Sequence, residues 1–311
     1  MKKLTLFAMM LLAASFAFAQ DDDVDGSTLD QPVRKPVETP WEQVNTGDFT
    51  DPIAYAPVRQ ADVMYYWTVW RIIDLREKVN HPLYFPTEAT GTWKSLGQTI
   101  FDAIDFKNPE RSEDALPVYS DELCTLPMSR EDLMSNLSQV RVVDDIDIES
   151  GEVIGEKEQI IEHEAKDIIS YRIKEVWYFD KQYSTFKVQI LELTPVIEYE
   201  RVTSNSSYDE DEDAEDVPTN KSTTRLGYIY YDELRPFLAK QEVFNMKNQA
   251  ARLSFDDLIT WKRDFSSLIY KESNVYDREI QDYIANSRDQ RIESERITDK
   301  LRTFEHDLWE F

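Results

Sequence analysis

The stretch Pro57–Thr87, PVRQADVMYYWTVWRIIDLREKVNHPLYFPT, contains two tryptophans, three tyrosines and no glycine. From Ala61 to about Val79 its apolar side chains recur as Val63, Trp67, Trp70 and Ile73, with Met64, Tyr66, Val69 and Ile72 beside them. That spacing predicts a helix whose apolar surface covers more than half its circumference. Asp74 and Lys78 stand i,i+4 in its last turns, a spacing for a modest ion pair. Asn80-His81-Pro82 stops it, because proline restricts the residue before it and donates no amide hydrogen bond. So wide a face either builds the core or packs on another protein. Trp, Tyr and Arg anchor interfaces most often, which makes Tyr66, Trp67, Trp70 and Arg71 the interface candidates here.

Upstream, Lys2 and Lys3 precede the apolar run Leu4–Phe18, and Ala17-Phe18-Ala19 offers small residues for cleavage before Gln20. Residues 1–19 therefore read as a secretory signal peptide. No cysteine follows that site to carry a lipid, and no later apolar run approaches a membrane span. Residues 20–56 begin acidic and carry prolines among polar residues, so they predict an extended or disordered arm with Trp41, Phe49, Ile53 and Tyr55 as its sticky points. Trp41 joins the interface candidates.

Downstream, Thr92 is expected to cap a helix with Leu96, Ile100 and Ile104 on one stripe, and Ser129-Arg130-Glu131-Asp132 has capping-box spacing before a third helix. From Val140 the period changes to two. Val140–Ile148 and Val153–Ile161 read as a hairpin, and Tyr171–Phe179 with Phe186–Tyr199 as the strongest strand pair. With Leu226–Tyr231 added, the fold is expected to be α+β, with an antiparallel sheet of about four to five strands, several helices and a long C-terminal helix. Pro195 implies an edge or a bulge. Residues 203–224 hold Asp209–Asp216, seven acids in eight residues, and read as a surface loop. The body is then 57–311, with a helical part at 232–311. Within it Ser254 starts one helix, and a long one runs from about Val275 to Trp309. Trp309 and Phe311 are apolar for a terminus and are the last interface candidates.

Removing Lys2 and Lys3 with the leader takes the formal charge from −26 to −28. Such an excess of carboxylates argues against nucleic acid and anionic lipid as partners. Cys124 is alone, so no intramolecular disulfide forms. Nothing has the spacing of a metal, phosphate or nucleophile motif. His81, His163 and His306 are far apart, and Asp145, Asp147, Glu149 and Glu156 imitate an EF-hand without its glycine. No catalytic, cofactor or metal residue is assigned. An exported glycan-binding protein or polysaccharide hydrolase is the alternative suggested by the aromatic and carboxylate content.

The wording ADVMYYWTVWRIIDLREKVNHPLYFP, together with YRIKEVWYFDKQYSTFKVQILELTPV from Tyr171, EVFNMKNQAARLSFDDLITWKRDFSSLIYKESNVYDREI from Glu242 and FEHDLWEF from Phe304, resembles the GldN/PorN family. That family supplies periplasmic ring components of the type IX secretion and gliding machinery of Bacteroidetes. The resemblance implies a non-enzymatic structural subunit, periplasmic and held at the inner face of the outer membrane by a ring lipoprotein of the GldK/PorK type. It further implies self-association within a ring and contact with the periplasmic part of the GldM/PorM motor protein. The acidic loop aligns with none of the quoted blocks.

Overall fold

Val63–Asp74, expected as a helix, is instead a twelve-residue strand, β1. The segment is rich in β-branched and aromatic residues, which fit a pleated surface and crowd a helix. Its apolar residues occupy both strand faces, so the alternation that marks a half-exposed strand is hidden and a helical period can be fitted to it. The Asp74–Lys78 pair expected on the helix is replaced by Arg76, whose Nη2 lies 2.7 Å from Asp74 Oδ2.

The computed structural model describes residues 51–90, 93–105, 115–146, 153–201, 220–248 and 252–307. Trp41, Trp309, Phe311, the leader, the acidic run and most of the arm lie outside them. After β1 come α1 (Leu96–Ile104), α2 (Arg130–Leu137), β2 (Ser138–Ile146), β3 (Val153–Glu162), β4 (Ile168–Asp180), β5 (Thr185–Arg201), β6 (Asn220–Arg225), β7 (Ile229–Tyr230), α3 (Tyr231–Lys240), β8 (Leu268–Glu272) and α4 (Ser287–Asp307). The main sheet is antiparallel in the order β6-β5-β4-β1-β8, with β7 also on β5, while β2 and β3 pair as a separate hairpin. The expected α+β class is thus found.

Several boundaries differ. Ser95, not Thr92, caps α1: its Oγ accepts from Gln98 N at 3.2 Å while Gln98 Oε1 accepts from Ser95 N at 2.9 Å, a reciprocal capping box. Residues 220–224, read as loop, are the polar strand β6, which carries no apolar alternation to reveal it. Of Leu226–Tyr231 only Ile229–Tyr230 pairs as strand, because Gly227 turns at φ 142, where a Cβ would meet Val118 Cγ1 at 2.5 Å. β8 interrupts the region expected to be helical, and α4 begins at Ser287 rather than near Val275. Asn274 Oδ1 accepts from Tyr276 N and Arg278 N, both at 3.1 Å, and that side-chain turn competes with helix there.

One face of the sheet is covered. The larger core lies over Ile73, Tyr171, Ile173, Leu193 and Ile197, packed by α1, α3 and the π-helical turn Asp257–Lys262. A second cluster joins Val69 and Ile269 to Ile297 and Leu301 of α4. Ser294 of α4 accepts from Ile269 N at 2.7 Å, which satisfies a strand amide that would otherwise be buried without a partner. Pro195 lies where β5 changes partner from β7 to β6, a position that tolerates the missing donor.

Candidate functional site

Strand geometry divides the sequence candidates between two faces. Trp67 and Arg71 point with Val69 and Ile73 to the covered side; Tyr66 and Trp70 point to the other. Trp67 is half-buried against the α4 cluster, with Lys300 Nζ 4.0 Å from its ring. Arg71 is buried, its Nε 3.1 Å from Glu175 Oε2. Glu175 also receives Arg263 Nη2 at 2.6 Å and the Trp177 indole at 3.1 Å. Arg263 adopts φ 50 just after the π-helical turn, which aims its guanidinium under the sheet. Burial pulls the Arg71 guanidinium below its ordinary value and Glu175 pulls it back. Arg71 and Arg263 neutralise the buried Glu175 carboxylate at the junction of the two cores, and the role of the set is structural.

The opposite, open face carries a cross-strand row set by register: Lys271 of β8, Trp70 of β1, Lys174 of β4 and Glu192 of β5. Lys271 and Lys174 lie 4.7 and 5.4 Å from the Trp70 ring. The Trp70 indole donates to Glu122 Oε1 at 2.8 Å, and Lys174 Nζ lies 2.9 Å from the same oxygen. Two bulges fix this row. Ile190 pairs with Glu175 and Glu192 with Lys174, so Leu191 is the extra residue; likewise Tyr270 is extra between Ile269 and Lys271. In a regular strand residues 190 and 192 would share the covered face; the bulge at Leu191 turns Glu192 to the open one.

Beside the row is a cavity of about 40 Å³ lined by Trp70, Arg172, Glu192, Arg225, Tyr228 and Tyr270 among others. Glu192 is 5% exposed. Its Oε1 accepts from Thr194 Oγ1 at 3.0 Å, and its Oε2 is buried with no hydrogen-bond partner. Burial pushes this carboxyl up to about 7, helped by nearby Glu122. The Arg172 guanidinium stacks 4.9 Å from the Tyr270 ring. Arg225 Nη1 donates to Tyr228 Oη at 3.1 Å.

Large apolar side chains stand uncovered around this face. Met64 and Tyr66 are 65% and 69% exposed on β1. Leu123 and Leu126 project from the loop that Glu122 ties to Lys174, and Val275 and Tyr276 from the turn that Asp277 ties to Lys271 at 2.6 Å. Apart from Tyr66 and Trp70, sequence reasoning missed these residues. The available signal was a carboxylate inside the apolar run Ile190–Leu193 and the cations Arg172 and Lys174 alternating along β4.

The remaining candidates gather no chemistry. Burial first, then Glu192, pushes the Cys124 thiol up to about 11, which disfavours the nucleophilic thiolate. His163 is buried, stacked near Tyr199 and 3.9 Å from Asp167. Among the described residues no group of three His, Cys, Asp or Glu could hold a metal, and no helix is long and apolar enough to cross a membrane. Two surface hollows of about 480 and 410 Å³ share Thr87 and Lys166 and contain no tryptophan. Trp67 and Trp70 lie on opposite faces, so they form no joint sugar platform. A family model described as gliding motility associated protein GldN matches residues 58–310. No curated protein matches the chain.

Proposed function

The chain belongs to the GldN family of gliding motility associated proteins, and from that premise we propose that it is a non-enzymatic structural subunit of the periplasmic ring of the type IX secretion system. It supports protein export across the outer membrane and gliding where the cell glides. It sits at the inner face of the outer membrane through a ring lipoprotein of the GldK/PorK type, repeats around the ring by self-association, and meets the periplasmic part of a GldM/PorM motor protein. The observation that carries this reading is the open sheet face, where Tyr66 stays exposed on the strand of Trp70 and Leu123, Leu126 and Tyr276 on the loops tied to Lys174 and Lys271. Uncovered apolar side chains grouped around a polar centre mark a protein interaction surface.

Deletion of the gene is expected to stop export of proteins that carry the machinery's C-terminal signal, with export restored by the wild-type chain. A photo-crosslinking residue at position 66 is expected to trap a ring component, whereas one at position 67, which faces α4, is expected to trap none. Normal export from the deletion strain would end this reading.

A further inference from the structure

We propose that the cavity over Glu192 is a seat for a single carboxylate, presented by an Asp or Glu side chain of a protein laid on the open face. That the occupant is a protein rests on the scaffold reading above; the carboxylate chemistry does not.

The lining specifies the ligand. Thr194 donates to Glu192 Oε1, so the proton of the acid form resides on Oε2, where no described residue accepts it. A buried donor left unpaired is costly, and a carboxylate oxygen in the cavity would accept from it. Among the described residues no carboxylate pairs with Arg172 or Arg225, whose guanidiniums line the same cavity. Tyr228 Oη accepts from Arg225, which leaves its own hydrogen to donate. Of the other two carboxylates on the lining, Glu122 accepts from Trp70 and Lys174 and Glu279 from Gln281, whereas a cation would meet Arg172, Arg225 and Lys271. A volume of about 40 Å³ holds one small group rather than a whole metabolite, which points to the end of a side chain. The bulges at Leu191 and Tyr270 lie at this level of the sheet and aim Glu192 and Tyr270 there.

Glu192 titrates near neutrality because it is buried beside Glu122, with Lys174 and Arg225 opposing that shift. Arg172 from β4, Lys271 from β8 and Glu279 beyond it share the cavity, and the half-buried Cys124 thiol lies close enough to feel Glu192. The seat is therefore competent when Glu192 is protonated and closes as pH rises through about 7.

The test monitors the Glu192 side-chain carboxyl and the Trp70 indole by NMR in the full chain while acetate, N-acetyl-aspartyl amide or methylammonium is added. Both carboxylates are expected to saturate the site, about tenfold more tightly at pH 6 than at pH 8, the ratio set by one proton near pH 7. Glu192→Gln, whose amide N–H replaces the O–H, is expected to keep the tight form at both values. Arg225→Met, at an exposed side chain, is expected to lose most of the binding at both. Saturation by methylammonium in place of acetate, loss of binding in Glu192→Gln, or no saturation by any probe would overturn the assignment. Binding of acetate without the blocked aspartate would make this a free acid's site and overturn the side-chain occupant.

Discussion

Glu175 and Glu192 are both buried glutamates in neighbouring strands, yet they belong to opposite faces and opposite kinds of environment. Glu175, 0% exposed, has guanidiniums from Arg71 and Arg263 and the Trp177 indole around it. Glu192 has one threonine hydroxyl and a bare oxygen. A buried charge is tolerated when it is paired and hydrogen-bonded, and otherwise it takes up a proton. The first carboxylate is consumed by the architecture; the second is left with unused hydrogen-bonding capacity at a surface ringed by exposed apolar residues.

Removing the carboxylate from the covered face should have the largest effect. Glu175→Ala strands the buried Arg71 guanidinium and frees the partly exposed Arg263, and is expected to cost about 3–5 kcal/mol in urea unfolding; a loss below 1 kcal/mol would erase the contrast with Glu192. On the open face the sign reverses. The folded chain holds the Glu192 proton more tightly than the unfolded chain, whose carboxyl titrates near 4.5, so stability falls as pH rises from about 4.5 through about 7. Glu192→Gln removes that loss and should stabilise the protein at pH 8 by up to about 3 kcal/mol, with little change at pH 4. A variant that is destabilised at pH 8 would show that the charged form is the one the fold prefers. The smallest stability effect is expected at the rim: Tyr66→Ser should stay within about 0.5 kcal/mol of wild type while weakening capture of the ring partner.

The two faces were unequally legible beforehand. The strand pair around Asp180, the Ser129 and Ser254 caps and the C-terminal helix could be read because each depends on neighbours a few residues away. Ser129 Oγ accepts from Asp132 N at 3.2 Å and Ser254 Oγ from Asp257 N at 3.0 Å. β1 could not be read that way. Its two apolar faces are explained only by α4 and the core helices on one side and the Lys174, Lys271 and Glu122 cluster on the other. The helical reading placed Trp67 and Trp70 on one stripe; the strand puts them back to back, so two residues proposed as neighbours in an interface lie on opposite faces of one sheet. Of that pair, Trp70 remains a candidate anchor on the open face.

By itself the sequence determined the α+β class, the acidic character, the local caps and, through long shared wording, the family. Only the tertiary structure decided which residues meet. In a strand the facing side reverses with every residue, so the single extra positions Leu191 and Tyr270 redirect every side chain beyond them. Whether a carboxylate such as Glu175 or Glu192 is neutralised depends on partners more than fifteen residues away or on none at all, and no local pattern records that.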